Sequence, residues 1–217
     1  MADVGEAISE GISFISKVGA ECDVLTSLLK QELSVLLSGS LIRGQVRPAG
    51  PWVDKFEKDA GGWIQTASAH SLPVIMQRKR SIGAYLFFQI SLAGNGIAAQ
   101  DNTQPLVHVG LWSLPVDFKN YWMGFPLFDL DDVEPELEEG VVFRWPMEGR
   151  EWGEWTYSLR LAQINTIQDI HEKIVTPVKA LLQGKRLPEV FAPNVQGIVR
   201  YVAVAEEVGH YRVLQPA

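Results

Sequence analysis

Hydrophobic residues near the N-terminus recur with the spacing of an α-helix. Ile8, Ile12, Ile15 and Val18 follow one another at intervals of three or four, and a second set runs from Val24 to Leu37. Residues at these intervals share one side of a helix, so both sets are amphipathic stripes. The pattern predicts a helical N-terminal segment within residues 1–43, with Gly19 as a candidate break and Gly39 after its end.

Beyond residue 63 the period changes to that of β-strands. In residues 85–92 one face carries Leu86, Phe88, Ile90 and Leu92, and further short runs occupy 105–112, 141–145, 155–161, 197–204 and 210–214. Neighbouring runs are separated by few residues, which favours antiparallel pairing because parallel strands need a long crossover. The glycines and prolines of residues 44–62 predict a connector rather than a core element.

One helix is predicted among the strands, near residues 165–183. Its apolar face is formed by Ile164, Ile167, Ile170, Ile174, Val178, Leu181 and Leu182. Thr166 and Asp169 have the spacing of a capping box, and Gly184 is a plausible end. Pro177 lies well inside this stretch, and because proline has no N–H we expect a kink or an early end there.

The chain is therefore predicted to be α+β and to form a single domain over residues 1–217. A helical N-terminal segment precedes a mainly antiparallel sheet over residues 63–217, which the later helix covers. With one cysteine, Cys22, no intramolecular disulfide can form, which fits a reducing compartment. There is no signal-peptide pattern and no apolar run long enough to span a membrane, so we expect a cytoplasmic protein without membrane association.

The net charge of −7 comes from one segment. Residues 129–139 hold seven of the 26 acidic residues and no basic ones, which leaves 19 acidic and 19 basic residues elsewhere. The rest of the chain is thus electrically balanced. It lacks the basic surface that a general nucleic-acid binder requires, so binding to nucleic acid is not expected.

The acidic tract admits three interpretations. A solvated loop is the simplest, because neighbouring carboxylates without cations repel each other. A divalent-metal site is the second, although the tract lacks the glycine and the final acid of a calcium loop. The third is a docking surface for a protein partner, with a basic partner as the natural complement, and its residues would be Asp129, Asp131, Asp132, Glu134, Trp122 and Phe125.

Arginines form a second candidate site. Arg144, Arg160, Arg200 and Arg212 each occupy the polar side of a predicted strand. If these strands share a sheet, one face would carry an arginine group able to bind an anion, or to receive the protein's own acidic tract. The alternative is a mixed solvated face, in which exposed ion pairs contribute little.

Catalytic and cofactor motifs find little support. The stretch GNGIAA at 94–99 follows a strand but leaves no room for the helix of a dinucleotide site, and the four histidines lack zinc-ligand spacing. His108 is interpreted as a core or boundary residue. We therefore expect no cofactor and assign no metal ligand or catalytic residue.

The function favoured by these observations is a protein–protein interaction or regulatory module that presents the acidic tract, and a homo-oligomer is left open. The alternative is a metal-dependent hydrolase or nuclease that uses the acidic-tract carboxylates. A third option is a binder of small anions with the sheet as one wall of its pocket.

Overall fold

A long helix, an antiparallel sheet and a second helix make up the part of the chain that the structure describes. The computed structural model describes residues 3–39, 42, 45–77, 79–92, 104–119, 135–145, 153–187, 189–192, 194–205 and 211–214. Helix α1 spans Val4–Ser38, and helix α2 spans residues 167–182. The strands are β1 (Val46–Pro48), β2 (Val53–Lys58), β3 (Gln65–Met76), β4 (Ala84–Ser91), β5 (Leu106–Trp112), β6 (Glu136–Glu138), β7 (Val142–Trp145), β8 (Glu154–Arg160), β9 (Tyr201–Ala203) and β10 (Tyr211–Val213). The predicted α+β class is confirmed.

The described strands form one eight-stranded sheet and one two-stranded sheet. The large sheet has the order β1-β3-β4-β5-β8-β7-β6, with β2 also paired to β3, and every pairing is antiparallel. The small sheet pairs β9 with β10. The prediction of a connector over residues 44–62 is wrong in part, because β1 and β2 lie there. Both strands run along one edge of the long strand β3, where glycine and proline are tolerated.

The large sheet is buried on both faces. Helices α1 and α2 cover the first face, which is formed by alternate residues of the central strands such as Leu86, Val109 and Tyr157. Phe87 and Phe143 lie on the second face with residues of the small sheet. The predicted alternation of apolar and polar positions in β4 is therefore an alternation between two buried faces.

Helix α1 is one unbroken helix of 35 residues, so the expected break at Gly19 is not found. At 1.5 Å per residue it is about 52 Å long. A glycine inside a helix costs only about 1 kcal/mol and does not by itself end the helix. The backbone leaves the helical conformation at Gly39, whose N–H still donates to the carbonyl oxygen of Leu36.

Helix α2 begins at the predicted capping box. The Thr166 side chain accepts from the N–H of Asp169, and the Asp169 carboxylate accepts from the N–H of Thr166. The ammonium group of Lys173, the Thr166 hydroxyl and the N–H of Asn165 donate to the Asp169 carboxylate and keep its pKa well below its usual value. Gly184, with φ of +76°, follows the C-terminal cap as predicted.

Pro177 neither ends α2 nor removes its helical geometry. Residues His171–Val175 form a π-helical turn, and α-helix resumes at Thr176–Leu182. Because Pro177 has no N–H, the carbonyl oxygen four residues earlier, on Lys173, loses its α-helical donor. The buried hydroxyl of Tyr157 on β8 donates to that oxygen at 3.1 Å instead. A strand residue thus replaces the hydrogen bond that the proline cannot make.

Replacing Tyr157 by Phe tests this arrangement. The change removes the hydroxyl and its hydrogen bond to the Lys173 carbonyl oxygen, so we expect the free energy of unfolding to fall by about 1 kcal/mol. Urea denaturation followed by circular dichroism measures it. Tyr85→Phe, at a half-buried position on β4, is the matched control. Equal stability of Tyr157→Phe and the control would contradict the role given to this hydroxyl.

Candidate functional site

The predicted partner-binding residues of the acidic tract lie outside the described residues. These are Asp129, Asp131, Asp132, Glu134, Trp122 and Phe125. The end of the tract is described and forms β6. Glu138 there accepts a hydrogen bond from Nε of Arg144 at 2.6 Å, and Glu136 contacts Arg186 at 3.1 Å. Two carboxylates of the tract are therefore neutralised by the protein's own arginines.

The four predicted arginines do not form one group, so the expected single arginine face is wrong. In the antiparallel register Arg144 is opposite Trp155, whereas Arg160 is five residues beyond Trp155 on β8 and points to the other face. Arg200 and Arg212 belong to the region of the small sheet. Side chains alternate between the two faces along a strand. Two arginines that each alternate with apolar residues in their own strands can therefore lie on opposite faces of the sheet.

Each described arginine contact is with the protein itself. Arg144 donates to the carbonyl oxygen of Lys185 at 2.9 Å. Its contact with Glu138 is of the kind expected if the arginines receive the protein's own acidic tract instead of a bound anion. Arg160 is buried and donates to the Gln104 side chain at 2.6 Å. Arg200 donates to the carbonyl oxygen of Glu139 at 3.2 Å. Anion binding by this set remains a prediction without the shared face on which it depended.

A row of buried polar side chains crosses the second face of the large sheet. Gln89, His108 and Ser158 are direct neighbours on β4, β5 and β8, and Nδ1 of His108 lies 2.7 Å from Oγ of Ser158. Burial lowers the pKa of His108 to about 4, so its imidazole is neutral at pH 7. A serine beside a neutral histidine has the chemistry of a nucleophile and base. Both side chains are buried, however, so we interpret the pair as a structural hydrogen bond.

Three ionisable side chains attach the C-terminal half of α1 to the sheet. The carboxylate of Asp54 on β2 lies 2.8 Å from Nδ1 of His70 and 2.8 Å from Nζ of Lys30 on α1. Burial lowers the pKa of His70, and the hydrogen bonds from Lys30 and His70 lower that of Asp54 against the effect of its own burial. Glu32 on α1 also contacts His171 on α2 at 3.0 Å. This half of the helix is therefore held in place from two sides.

A cleft of about 950 Å³ opens at one end of the sheet beside the end of α2. Its wall includes Leu111 and Trp155 from the sheet, and its cationic residues are Lys79, Arg144 and Arg186. The volume suits a small molecule. Arg144 and Arg186 both contact Glu138, at 2.6 and 3.7 Å, so much of the positive charge is already balanced. The cleft is consequently a weaker candidate for an anion-binding site than its three cationic residues suggest.

The N-terminal half of α1 exposes an apolar stripe. Val4, Ile8, Ile12, Phe14 and Ile15 have 73, 58, 64, 68 and 45% of their surface exposed. The first buried residue of the helix is Leu29, and every residue from position 3 to 17 is exposed. A monomeric protein rarely leaves such a run of large apolar side chains in water. We call the exposed side formed by Val4, Ile8, Gly11, Ile12, Ile15 and Val18 the α1 docking face.

The α1 docking face continues the stripe that binds the helix to its own domain. At 100° per residue, Ile15 lies within about 40° of the directions of the buried Leu29 and Leu33, and Ile8 lies within about 60° of them. The same side of one helix is thus core at one end and exposed at the other. The sequence contained this signal, since Ile8, Ile12 and Ile15 have helical spacing, but it did not show that the sheet covers only the C-terminal half.

No family model, no curated protein and no solved structure matches this chain. Among the described residues, none of the helices combines the length and apolar character needed to cross a membrane. The described part of the chain also contains no group of three or more His, Cys, Asp or Glu residues that could hold a metal ion.

Proposed function

We propose that this protein is a protein–protein interaction module that binds its partner through the α1 docking face. The observation that carries the proposal is the set of four large apolar side chains on this face, Val4, Ile8, Ile12 and Ile15, each at least 45% exposed, on a helix whose C-terminal half packs against the core. The proposal keeps the class of function expected from the sequence and adds a second surface to the acidic tract.

Burying the α1 docking face would supply enough free energy for binding. Full burial of a Val or Ile side chain contributes about 1.5–3 kcal/mol, so the four exposed ones on this face contribute on the order of 5 kcal/mol from this chain alone. The partner contributes a similar amount. The helix is already ordered and anchored by Leu29, Leu33 and Leu37, so little conformational entropy is lost when it docks.

A protein suits this surface better than a lipid membrane or nucleic acid. Helices that lie on membranes carry Lys and Arg on their polar side, which attract anionic lipids. The polar side of this half of α1 carries Glu6, Glu10 and Glu21 against a single Lys17. Anionic lipids and nucleic acids would be repelled by that side, whereas an apolar groove or helix of another protein would not.

The acidic tract remains the second proposed contact surface. Asp129, Asp131, Asp132 and Glu134 would steer a basic partner, and Trp122 and Phe125 would anchor it. Of the tract, Glu136 and Glu138 already contact Arg186 and Arg144. Glu139 of the tract is exposed, and Arg200 contacts its backbone carbonyl oxygen rather than its carboxylate.

The test compares three forms of the fluorescently labelled chain by sedimentation velocity, each added at high concentration to a lysate of the organism from which the protein comes. We expect the wild type to sediment as a complex and Ile8→Ser/Ile15→Ser to sediment as the free chain, because the double change removes the centre of the α1 docking face. The control is Val24→Ser/Val35→Ser, which alters two exposed residues on the opposite side of α1. Sedimentation of all three forms as the free chain would contradict the proposal, as would identical complexes for all three.

A further inference from the structure

The α1 docking face is uncharged over its whole length, whereas the other side of the same helix is charged. Ile8 and Ile15 lie near its middle, with Gly11 between them, and Glu6, Glu10 and Lys17 lie roughly 160–200° away around the helix. Two copies of this face can therefore meet without bringing carboxylates together. A partner that surrounds its apolar surface with Lys and Arg would form no ion pairs at the centre of the α1 docking face, because no acidic residue lies there.

We infer that the α1 docking face is covered by a second copy of this chain, and that the two helices pair antiparallel over residues 4–22. The inference rests on the function proposed above and names its partner. It applies a property of two-fold symmetric interfaces, in which the same patch on both copies must be complementary to itself.

Parallel pairing is excluded by where the domain sits. The side of α1 that is exposed at Ile8 and Ile15 is the side that the sheet covers at Leu29 and Leu33. A parallel second helix on that side would bring a second sheet to the place that the first one occupies. In the antiparallel arrangement each domain would lie at the N-terminal end of the other helix, with Val4 opposite Cys22, the first residue of the stripe that packs against the core.

The heptad pattern of the face sets the register. Residues Ile8, Ile15 and Cys22 recur every seven positions, as do Val4, Gly11, Val18 and Leu25. Antiparallel helices pack residues of one set against the other. The overlap that ends at Cys22, where this stripe first packs against the chain's own core, pairs Val4 with Cys22, Ile8 with Val18 and Gly11 with Ile15.

The Gly11–Ile15 layer gives a reason for the glycine. A Cβ at Gly11 would have no atom within 4 Å in the single chain, so no contact among the described residues requires a glycine at this position. Opposite Ile15 of a second helix, its missing side chain lets the two backbones approach closely. The overlap is about 28 Å long and would bury on the order of 600 Å² on each copy, somewhat below a standard interface. We therefore expect a dimer that dissociates on dilution.

Sedimentation equilibrium of the purified chain tests the partner. We expect the mass to rise from 24.1 kDa at low concentration towards twice that value at tens of micromolar. Ile8→Ser/Ile15→Ser should remain at the lower mass at every concentration, and Val24→Ser/Val35→Ser should behave as the wild type. Circular dichroism establishes that all variants are folded. A wild type that stays monomeric at hundreds of micromolar would overturn the inference.

Disulfide trapping tests the orientation. In the proposed register the thiol of Val4→Cys lies beside Cys22 of the other copy, so mild oxidation should link most of this variant into dimers. The wild type, which has Cys22 alone, and Val4→Cys/Cys22→Ser should form at most traces. Rapid linking of the wild type through Cys22 would indicate parallel helices and overturn the inference.

The result also separates this inference from the function on which it rests. One outcome is a chain that stays monomeric when purified and yet sediments in extract as a complex that is lost in Ile8→Ser/Ile15→Ser. That result overturns the identification of the partner as a second copy and retains the docking face. A chain that is monomeric in both settings overturns both. A dimer that persists unchanged in Ile8→Ser/Ile15→Ser places the contact elsewhere and also overturns both.

Discussion

Replacing Gly110 by Ala is expected to lower the free energy of unfolding by about 3 kcal/mol, because the site has no room for a methyl group. A Cβ on Gly110 in β5 would lie 2.6 Å from two ring carbons of Phe87 and 2.5 Å from the carbonyl oxygen of Trp155. Phe87 is buried, and its ring packs edge-on against Trp112 at 5.8 Å. The aromatic ring that covers the glycine therefore cannot move aside without disturbing the second face of the sheet.

Urea denaturation at pH 7 measures this effect, with Gly83→Ala as the matched control. A Cβ at Gly83 would meet only Met76, at an ordinary distance of 3.4 Å, so this variant should stay within about 0.5 kcal/mol of the wild type. Adding Phe87→Leu to Gly110→Ala should cost less than the sum of the two single changes, because the smaller side chain relieves the clash. Full additivity would show that Phe87 does not limit the space at Gly110.

Acid is expected to weaken the protein well above the pH at which carboxylates titrate, because His108 is buried. Its pKa of about 4 lies below the ordinary value of 6.5, so the unfolded chain binds a proton between these values and the folded chain does not. Stability from this histidine is therefore complete above about pH 6.5 and is lost as the pH falls towards 4. The loss should be about 2 kcal/mol between pH 7 and pH 5. Burial lowers the pKa of His70 as well and adds to the effect.

The free energy of unfolding, measured at several pH values between 4 and 7.5, checks this dependence. His108→Gln removes the titrating group and keeps a side chain that can hydrogen-bond to Ser158, so its stability should change much less over the same range. NMR of the His108 ring should show no protonation above pH 5. A variant with the same pH dependence as the wild type would assign the acid sensitivity to other groups.

The fold class was predictable from the sequence because the spacing of hydrophobic residues indicates which of them share one face of a helix or strand. The strands of residues 85–92 and 105–112, the hairpin of β7 with β8 and the capping box at Thr166 all followed from spacing and local hydrogen bonding. What failed depended on partners distant in sequence. The early end expected at Pro177 is not found, since α-helix continues to Leu182, and the contact of the Tyr157 hydroxyl with the Lys173 carbonyl oxygen is one that no local pattern reveals.

The candidate site was less predictable for a similar reason. Helical spacing identified Ile8 and Ile15 as one face of a helix, but only the structure shows that the core packs against this face from Cys22 onward. The arginines were grouped by their shared polar character, and the strand register then separated Arg144 from Arg160. Which elements lie against which face is a tertiary property, and hydrophobic spacing alone does not contain it.

Amide hydrogen exchange along α1 tests the central claim most directly. In the dilute purified chain, residues 4–18 should exchange quickly and residues 29–37 slowly, because only the latter pack on the sheet. With the partner present, whether a second copy at high concentration or a protein of the host extract, exchange over 4–18 should slow at least about tenfold. Rapid exchange of residues 4–18 under all these conditions would contradict the claim that this face of α1 is a docking surface.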